Sequence, residues 1–172
     1  VTHKDIIEYS SSDSFKTVEG RFRKLQFVAS SEQSYELIAN AILKKEGFAA
    51  FKEAHTDDFK HIASKCALTN IFEDLSENVY LNKLVFGCFP LTPLSAYALL
   101  HISELVGQNE RTLFTFLSAN GQATLPSFLK QYHDDEFSVV TPDLIYDYFE
   151  PLFKKEISNG TLHDIYFLTS TI

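Results

Sequence analysis

The sequence has no methionine, no tryptophan and only two cysteines among its 172 residues. Because an open reading frame starts with methionine and this chain starts at Val1, we expect it to be a piece of a longer protein. Cys66 and Cys88 lie in apolar surroundings without a CxxC spacing. This pattern favours two buried, reduced thiols over a disulfide and predicts a cytoplasmic protein.

Positive charge is also scarce, since 15 Lys and Arg face 23 Asp and Glu, which gives a net charge of -8. The longest basic cluster, Arg21–Lys24, is short. Neutralising the phosphates of a duplex takes clustered Lys and Arg, so we do not expect direct nucleic-acid binding by this chain. No apolar run approaches the roughly 20 residues of a membrane helix, so we expect no membrane contact.

Several chemical motifs are missing as well. The chain has no G-x-x-x-x-G-K-[ST], no G-x-G-x-x-G and no H-E-x-x-H. Its six histidines are scattered without metal-ligand spacing, so no metal site is predicted. No serine stands in a G-x-S-x-G context, which argues against a nucleophilic serine.

Helix signals are what the sequence does contain. Ser30 and Gln33 form a capping box before an apolar stripe, which predicts a helix over Ser31–Lys45 that ends at Gly47. Thr56 is predicted to cap another helix. A shorter apolar stretch from 79 to 86 is predicted to form helical turns.

A hydroxyl followed by proline begins two further helices. Thr92-Pro93 starts a helix to Val106, and because its residues are apolar on most sides it should be central. Thr141-Pro142 repeats the signal and starts a helix to Ile157. The alternating segment Arg21–Ala29 is typical of one short strand. The predicted fold is therefore mainly α, with one or two short N-terminal strands.

An arginine stands at an unusual place in the elbow between two of these helices. Asn109 is predicted to cap the helix Glu110–Ala119, which puts Arg111 in its first turn. A helix N-terminus already carries partial positive charge, so an arginine there calls for an anion. Two interpretations of Arg111 are open at this point. It forms a local pair with Glu110, or it binds a phosphate or a partner subunit.

Four segments together carry a resemblance: Thr2–Asp5, Val18–Phe22, Phe89–Pro93 and Gln108–Leu117. Their order resembles the later half of large bacterial AAA+-like P-loop ATPases, the sensor and lid region. Several of these ATPases are associated with defence against foreign DNA. The resemblance implies that residues 1–30 end an ATPase core and that residues 31–172 form a helical lid and a downstream helical region.

The resemblance also implies roles for individual residues. Arg111 would stand as a second-sensor arginine and Arg21 as an interface arginine, both acting on the transferred phosphoryl group. Asn109, Thr2 and His3 would contribute to nucleotide binding. Taken by itself, Arg21 is also open to interpretation as a solvated cation at the edge of a strand.

The implied cofactors, ATP and Mg²⁺, belong to the full-length protein. This chain lacks the Walker motifs, so alone it should bind neither and should not hydrolyse ATP. Its implied partner is the P-loop core of the same polypeptide. Assembly into a homo-oligomer is left open by the resemblance.

Two other functions remain as alternatives. Phenylalanine is used 16 times and tyrosine 8 times, which suits a helical protein–protein interaction module with no nucleotide role. A winged-helix-like nucleic-acid module in Thr124–Ile172 is disfavoured by the acidic character of that region.

Overall fold

The computed structural model describes residues 30–106, 109–133 and 135–155, and this part of the chain is mainly helical. Within it lie eight α-helices and one π-helix: α1 Ser31–Ala41, α2 Phe48–Ala54, α3 Thr56–Ala67, α4 Glu77–Val79, the π-helix Tyr80–Gly87, α5 Pro93–Leu105, α6 Asn109–Ser118, α7 Leu125–Leu129 and α8 Pro142–Lys155. The described residues contain no strand, only an isolated parallel bridge between Leu91 and Val140. The mainly α prediction is confirmed, while the predicted strand Arg21–Ala29 lies outside these residues.

The capping box at the start of α1 is confirmed. The N–H of Gln33 donates to Ser30 Oγ at 3.3 Å, and the N–H of Ser30 donates to Gln33 Oε1 at 3.0 Å. The predicted end at Lys45 is wrong, because Ile42 turns to an extended conformation and α1 stops at Ala41. Gly47, with a φ of 93°, instead precedes α2.

Thr56 has a different role from the predicted N-cap. It is the first residue of α3, and its Oγ1 donates to the carbonyl oxygens of Lys52 at 3.2 Å and Glu53 at 2.8 Å. These carbonyls belong to the last turn of α2 and lack partners within that helix. The hydroxyl therefore closes the end of α2.

α5 is the central helix, as its apolar sequence predicts. Thr92 Oγ1 accepts the N–H of Ser95 at 3.2 Å, and Pro93 occupies the first turn. Ser95 Oγ donates in turn to the carbonyl of Val140 at 2.7 Å, which ties α5 to the segment before α8. The helices that pack against α5 are α1, α3, α6, α8 and the π-helix.

The π-helix forms where short helical turns are predicted, and α4 leads directly into it. It packs closely on α1. Lys83 Nζ pairs with Glu32 at 3.0 Å and with Glu36 at 2.8 Å, while Gly87 lies against Ala39 near the other end. This order of contacts shows that α1 and the π-helix run in parallel.

The large core between these helices continues through α6 and α8. Phe116 is fully buried and meets the ring of Tyr148 edge to face at 5.2 Å between centroids. The hydroxyl of Tyr148 donates to the carbonyl of Thr112 at 3.0 Å. The helix predicted from Pro142 is confirmed up to Lys155, and it contains Pro151 in its interior.

Candidate functional site

An open groove of about 710 Å³ runs between α3 and the π-helix, and we call it the α3–π groove. The two helices are antiparallel here. Phe59, early in α3, contacts Phe86, late in the π-helix, with 5.2 Å between ring centroids. The Tyr80 hydroxyl donates to the carbonyl of Ala63 at 2.7 Å. The lining residues are Lys52, Glu53, Thr56, Phe59, Lys60, Ala63, Ser64, Ala67, Glu77, Tyr80, Leu81, Val85 and Phe86.

The base of the α3–π groove is apolar and tightly packed. Phe59, Ala63 and Val85 are buried and form one small hydrophobic cluster. Ser64 and Ala67, which continue the same face of α3, are exposed. Small side chains at this helical spacing leave room for another chain to approach the helix backbone.

Charged side chains stand only at the rim of the groove. Lys52 Nζ lies over the ring of Phe86, 4.5 Å from its centroid, in a cation–π contact. Lys60 is 3.7 Å from Asp57, and both side chains are highly exposed, so this pair contributes little to stability. Glu77 stands at the opposite end of the groove, where the π-helix is about to begin.

A second cavity of about 380 Å³ lies between the α1–α2 connection, the Phe89-Pro90 segment and the end of α7. We call it the Lys44 cavity. Its lining residues are Ile42, Leu43, Lys44, Lys45, Glu46, Gly47, Phe48, Phe51, Phe89, Pro90, Phe128, Leu129, Tyr132, His133, Glu136 and Ser138. It is more polar than the α3–π groove and combines aromatic rings with ionisable groups.

Lys44 is the partly buried cation of this cavity. Its Nζ donates to the carbonyl oxygen of Gly87 at 2.8 Å and to that of Phe89 at 2.6 Å. The same nitrogen is 5.4 Å from the ring centroid of Phe48. Burial lowers the pKa of Lys44 from its ordinary value of 10.5 to about 8.

The two cysteines are free and buried, as their surroundings predict. Cys88 Sγ donates to the carbonyl of Tyr35 at 3.6 Å, and burial raises the pKa of this thiol to about 12. Burial also raises the pKa of Cys66. Because a thiolate is the nucleophilic form, neither thiol is suited to covalent chemistry at neutral pH.

The residues predicted from the ATPase resemblance do not meet in one described site. Arg111 lies exposed in the first turn of α6, and no carboxylate among the described side chains pairs with it. It lines neither cavity. Asn109 is the first residue of α6 rather than a residue before it. Arg21, Thr2 and His3 lie outside the described residues.

Two searches of the described residues bear on other kinds of site. No group of three or more His, Cys, Asp or Glu side chains in this part of the chain is arranged to hold a metal ion. None of its helices is both long enough and apolar enough to cross a membrane.

Comparison of the chain with models of protein families, with curated proteins and with solved structures finds no match. The functional argument therefore depends on the two cavities and on the chemistry of their walls.

Sequence reasoning missed both cavities. One signal for the α3–π groove was present, since Thr56, Ala63, Ser64 and Ala67 place small residues along one helical face. The Lys44 cavity had no comparable signal. Lys44 reaches carbonyls 43 and 45 positions away along the chain, and no local pattern gives that contact.

Proposed function

We propose that the described part of this chain is a helical protein-interaction module whose α3–π groove binds the apolar face of a partner helix. One observation carries this proposal. The groove is an open depression of about 710 Å³ with an apolar base, and its charged groups are confined to the rim. Apolar depressions with a polar rim are typical of surfaces that bind other proteins.

The dimensions favour a helix as the occupant. α3 has 12 residues and is therefore about 18 Å long, which matches about three turns of a partner helix. Ser64 and Ala67 let that helix approach closely, while Leu81 and Tyr80 form the opposite wall. A partner with apolar residues spaced i, i+4 and i+7 would place one at each turn along this groove.

The rim gives the bound helix a preferred direction. Lys52 and Lys60 outnumber Glu53 at the end of the groove near Phe86, whereas Glu77 is the charged lining residue at the other end. The proposed partner accordingly carries a carboxylate near the two lysines and a basic side chain near Glu77. Such rim charges contribute to orientation and association rate more than to affinity.

Site-specific photo-crosslinking tests this proposal. A benzophenone side chain is placed at Ser64, inside the groove, or at its neighbour Lys65, which is exposed but does not line the groove. Each protein is irradiated in cells, and the crosslinked peptides are identified by mass spectrometry. We expect position 64 to give one dominant crosslink to an amphipathic helical segment, and position 65 to give none.

A blocked groove provides the control. Trp in place of the exposed Ala67 should fill the groove and abolish the crosslink from position 64, with the helical circular dichroism unchanged. The proposal is wrong if positions 64 and 65 capture the same proteins, or if Ala67→Trp leaves the crosslink intact.

As a second function, we propose that this chain forms the lid of an ATPase. The position of Arg111 is the observation that supports this proposal. Arg111 is an exposed arginine in the first turn of α6, and a guanidinium can bind phosphate oxygens through two parallel hydrogen bonds. In this proposal the parent polypeptide supplies a P-loop, ATP and Mg²⁺, and Arg111 stabilises charge on the phosphoryl group.

ATP turnover by the full-length protein tests this second function. Arg111→Ala should lower turnover by at least about tenfold, because one charge-assisted contact to the transition state is lost. Arg111→Lys should retain part of the rate, and Lys65→Ala should leave it unchanged. Equal turnover in Arg111→Ala and the wild type, or a parent gene that encodes no P-loop, would reject the proposal.

A further inference from the structure

The Lys44 cavity has walls suited to an apolar group. Its aromatic side chains come from three parts of the fold: Phe48, Phe51, Phe89, Phe128 and Tyr132. Leu43 is 90% exposed and Leu129 is 52% exposed, and both lie at this cavity. Exposed leucines beside a set of aromatic rings mark a place where an apolar molecule would gain from leaving water.

Lys44 brings a positive charge into this apolar setting. No carboxylate among the described residues pairs with it, and its hydrogen-bond partners are two neutral carbonyls. One of them, the carbonyl of Gly87, belongs to the last residue of the π-helix, where the backbone dipole gives partial negative charge. This arrangement explains how the fold tolerates the cation, but it does not neutralise it.

An ammonium group has three N–H donors, and the two carbonyls account for two of them. The third is available to an acceptor in the cavity. A carboxylate in the cavity would neutralise the charge of Lys44 and would also accept a charge-assisted hydrogen bond from this third N–H.

We propose that the Lys44 cavity binds a carboxylate that carries an apolar aryl or alkyl group. The carboxylate accepts a hydrogen bond from Lys44 Nζ, and the apolar group packs against Phe48, Phe51 and Phe128. The volume of about 380 Å³ falls within the range of small-molecule sites. This site is separate from the α3–π groove and does not depend on the function proposed for that groove.

The other ionisable groups at the cavity restrict the charge of the ligand. Glu46 and Glu136 line it, together with Lys45, His133 and Tyr132, and the buried thiol of Cys88 interacts electrostatically with Lys44. Glu46 and Glu136 repel an anionic ligand and Lys45 offsets part of this repulsion, so a ligand with one negative charge is repelled less than a ligand with two. The site therefore favours monocarboxylates over dicarboxylates and phosphates.

Titration with 4-phenylbutyrate tests the site, followed by backbone amide shifts in NMR spectra of the whole chain. We expect saturable shifts at the residues lining the Lys44 cavity. The neutral analogue 4-phenylbutanol and the Lys44→Met variant should each bind at least about tenfold more weakly, since each removes one charge-assisted contact. Lys52→Met, which removes a cation in the α3–π groove, should change the affinity less than about twofold.

A peptide ending in a free C-terminal phenylalanine distinguishes a peptide source from a small-molecule source. If the peptide binds more tightly than 4-phenylbutyrate, and its C-terminal amide does not bind, the same chemistry serves a protein C-terminus. Equal affinity for 4-phenylbutyrate and 4-phenylbutanol would overturn the proposal. So would shifts that do not saturate, or that fall outside the cavity.

The pH dependence in the wild type keeps the test decisive if Lys44→Met does not fold. Only the protonated ammonium binds the carboxylate, so affinity should be constant below the pKa of Lys44, about 8, and should fall about tenfold per pH unit above it. An affinity that is unchanged between pH 7 and about 10 would reject the role of Lys44.

Discussion

Burial, rather than a charged partner, is the main cause of the pKa shifts of Lys44, Tyr35 and Tyr80. Burial lowers the pKa of Lys44 to about 8 and raises that of Tyr35 to about 12. It likewise raises the pKa of Tyr80 to about 12, which keeps the phenol protonated as the donor to Ala63. In each case the charged form is the one that burial disfavours.

Lys44 gives a prediction with a defined sign. In the unfolded chain the Lys44 ammonium keeps its proton up to about pH 10.5, whereas in the folded chain the ammonium loses this proton near pH 8. The unfolded state therefore binds more protons within this window, so the contribution of Lys44 to stability rises with pH. Compared with Lys44→Met, the wild type should gain up to about 3 kcal/mol of unfolding free energy between pH 8 and 10.5.

Urea unfolding followed by circular dichroism at a series of pH values measures this gain. The exposed Lys65→Met variant is the matched control, and its difference from the wild type should stay constant over the same window. A difference between wild type and Lys44→Met that does not change with pH would contradict the burial of Lys44 in the folded state.

At the scale of elements, the contact between α1 and the π-helix depends on a glycine. A Cβ at Gly87 would lie 2.8 Å from the Cβ of Ala39 and 3.1 Å from the carbonyl oxygen of Asn82. The first distance is shorter than real Cβ contacts and the second is unusually tight, and the second atom is backbone. The two helices can run side by side here because position 87 has no side chain.

Gly87→Ala should therefore destabilise the domain by about 1–3 kcal/mol through overpacking. Gly121→Ala is the matched control, since a Cβ there would meet only Thr124 Cγ2 at 3.4 Å. Thermal unfolding of the two variants should show a clear loss for position 87 and a small change for position 121. Equal melting temperatures would mean that α1 and the π-helix are not in this close contact.

The cap of α5 gives a second element-scale prediction. Thr92 Oγ1 accepts from the N–H of Ser95 and also pairs with Ser95 Oγ at 2.7 Å, in a buried site. Thr92→Ala should cost about 1–2 kcal/mol of unfolding free energy, because it removes the cap and leaves polar groups without a partner. Thr92→Ser keeps the hydroxyl and should lose less than half as much in denaturant titrations. A similar loss in both variants would show that the methyl group, not the cap, matters.

The helix signals that could be predicted from sequence are those whose partners are close along the chain. Ser30 with Gln33 and Thr92 with Ser95 are contacts between residues three apart, and both helix starts were predicted correctly. The end of α1 was not predicted correctly, because the chain becomes extended at Ile42 and Lys44 then donates to the distant carbonyls of Gly87 and Phe89. The prediction of Thr56 as an N-cap was wrong for a related reason, because its hydroxyl donates to the carbonyl of Glu53 in the preceding helix.

At the scale of the described domain, α5 is surrounded by its neighbours while α3 presents one face to the surface. That face and the π-helix border the α3–π groove. Amphipathic periodicity identifies which residues avoid water but not which apolar residues remain uncovered after folding. The α3–π groove could therefore not be located from the sequence alone, although the small residues along one face of α3 are consistent with it.

The affinity of the crosslinked partner helix for the whole chain tests the central claim most directly. Leu81→Asp puts a carboxylate on the half-buried wall of the α3–π groove, while Lys65→Asp puts one on exposed surface outside it. The account predicts that Leu81→Asp raises the dissociation constant at least about tenfold and that Lys65→Asp changes it less than about threefold. Equal dissociation constants for the two variants, both folded by circular dichroism, would contradict a binding function of this groove.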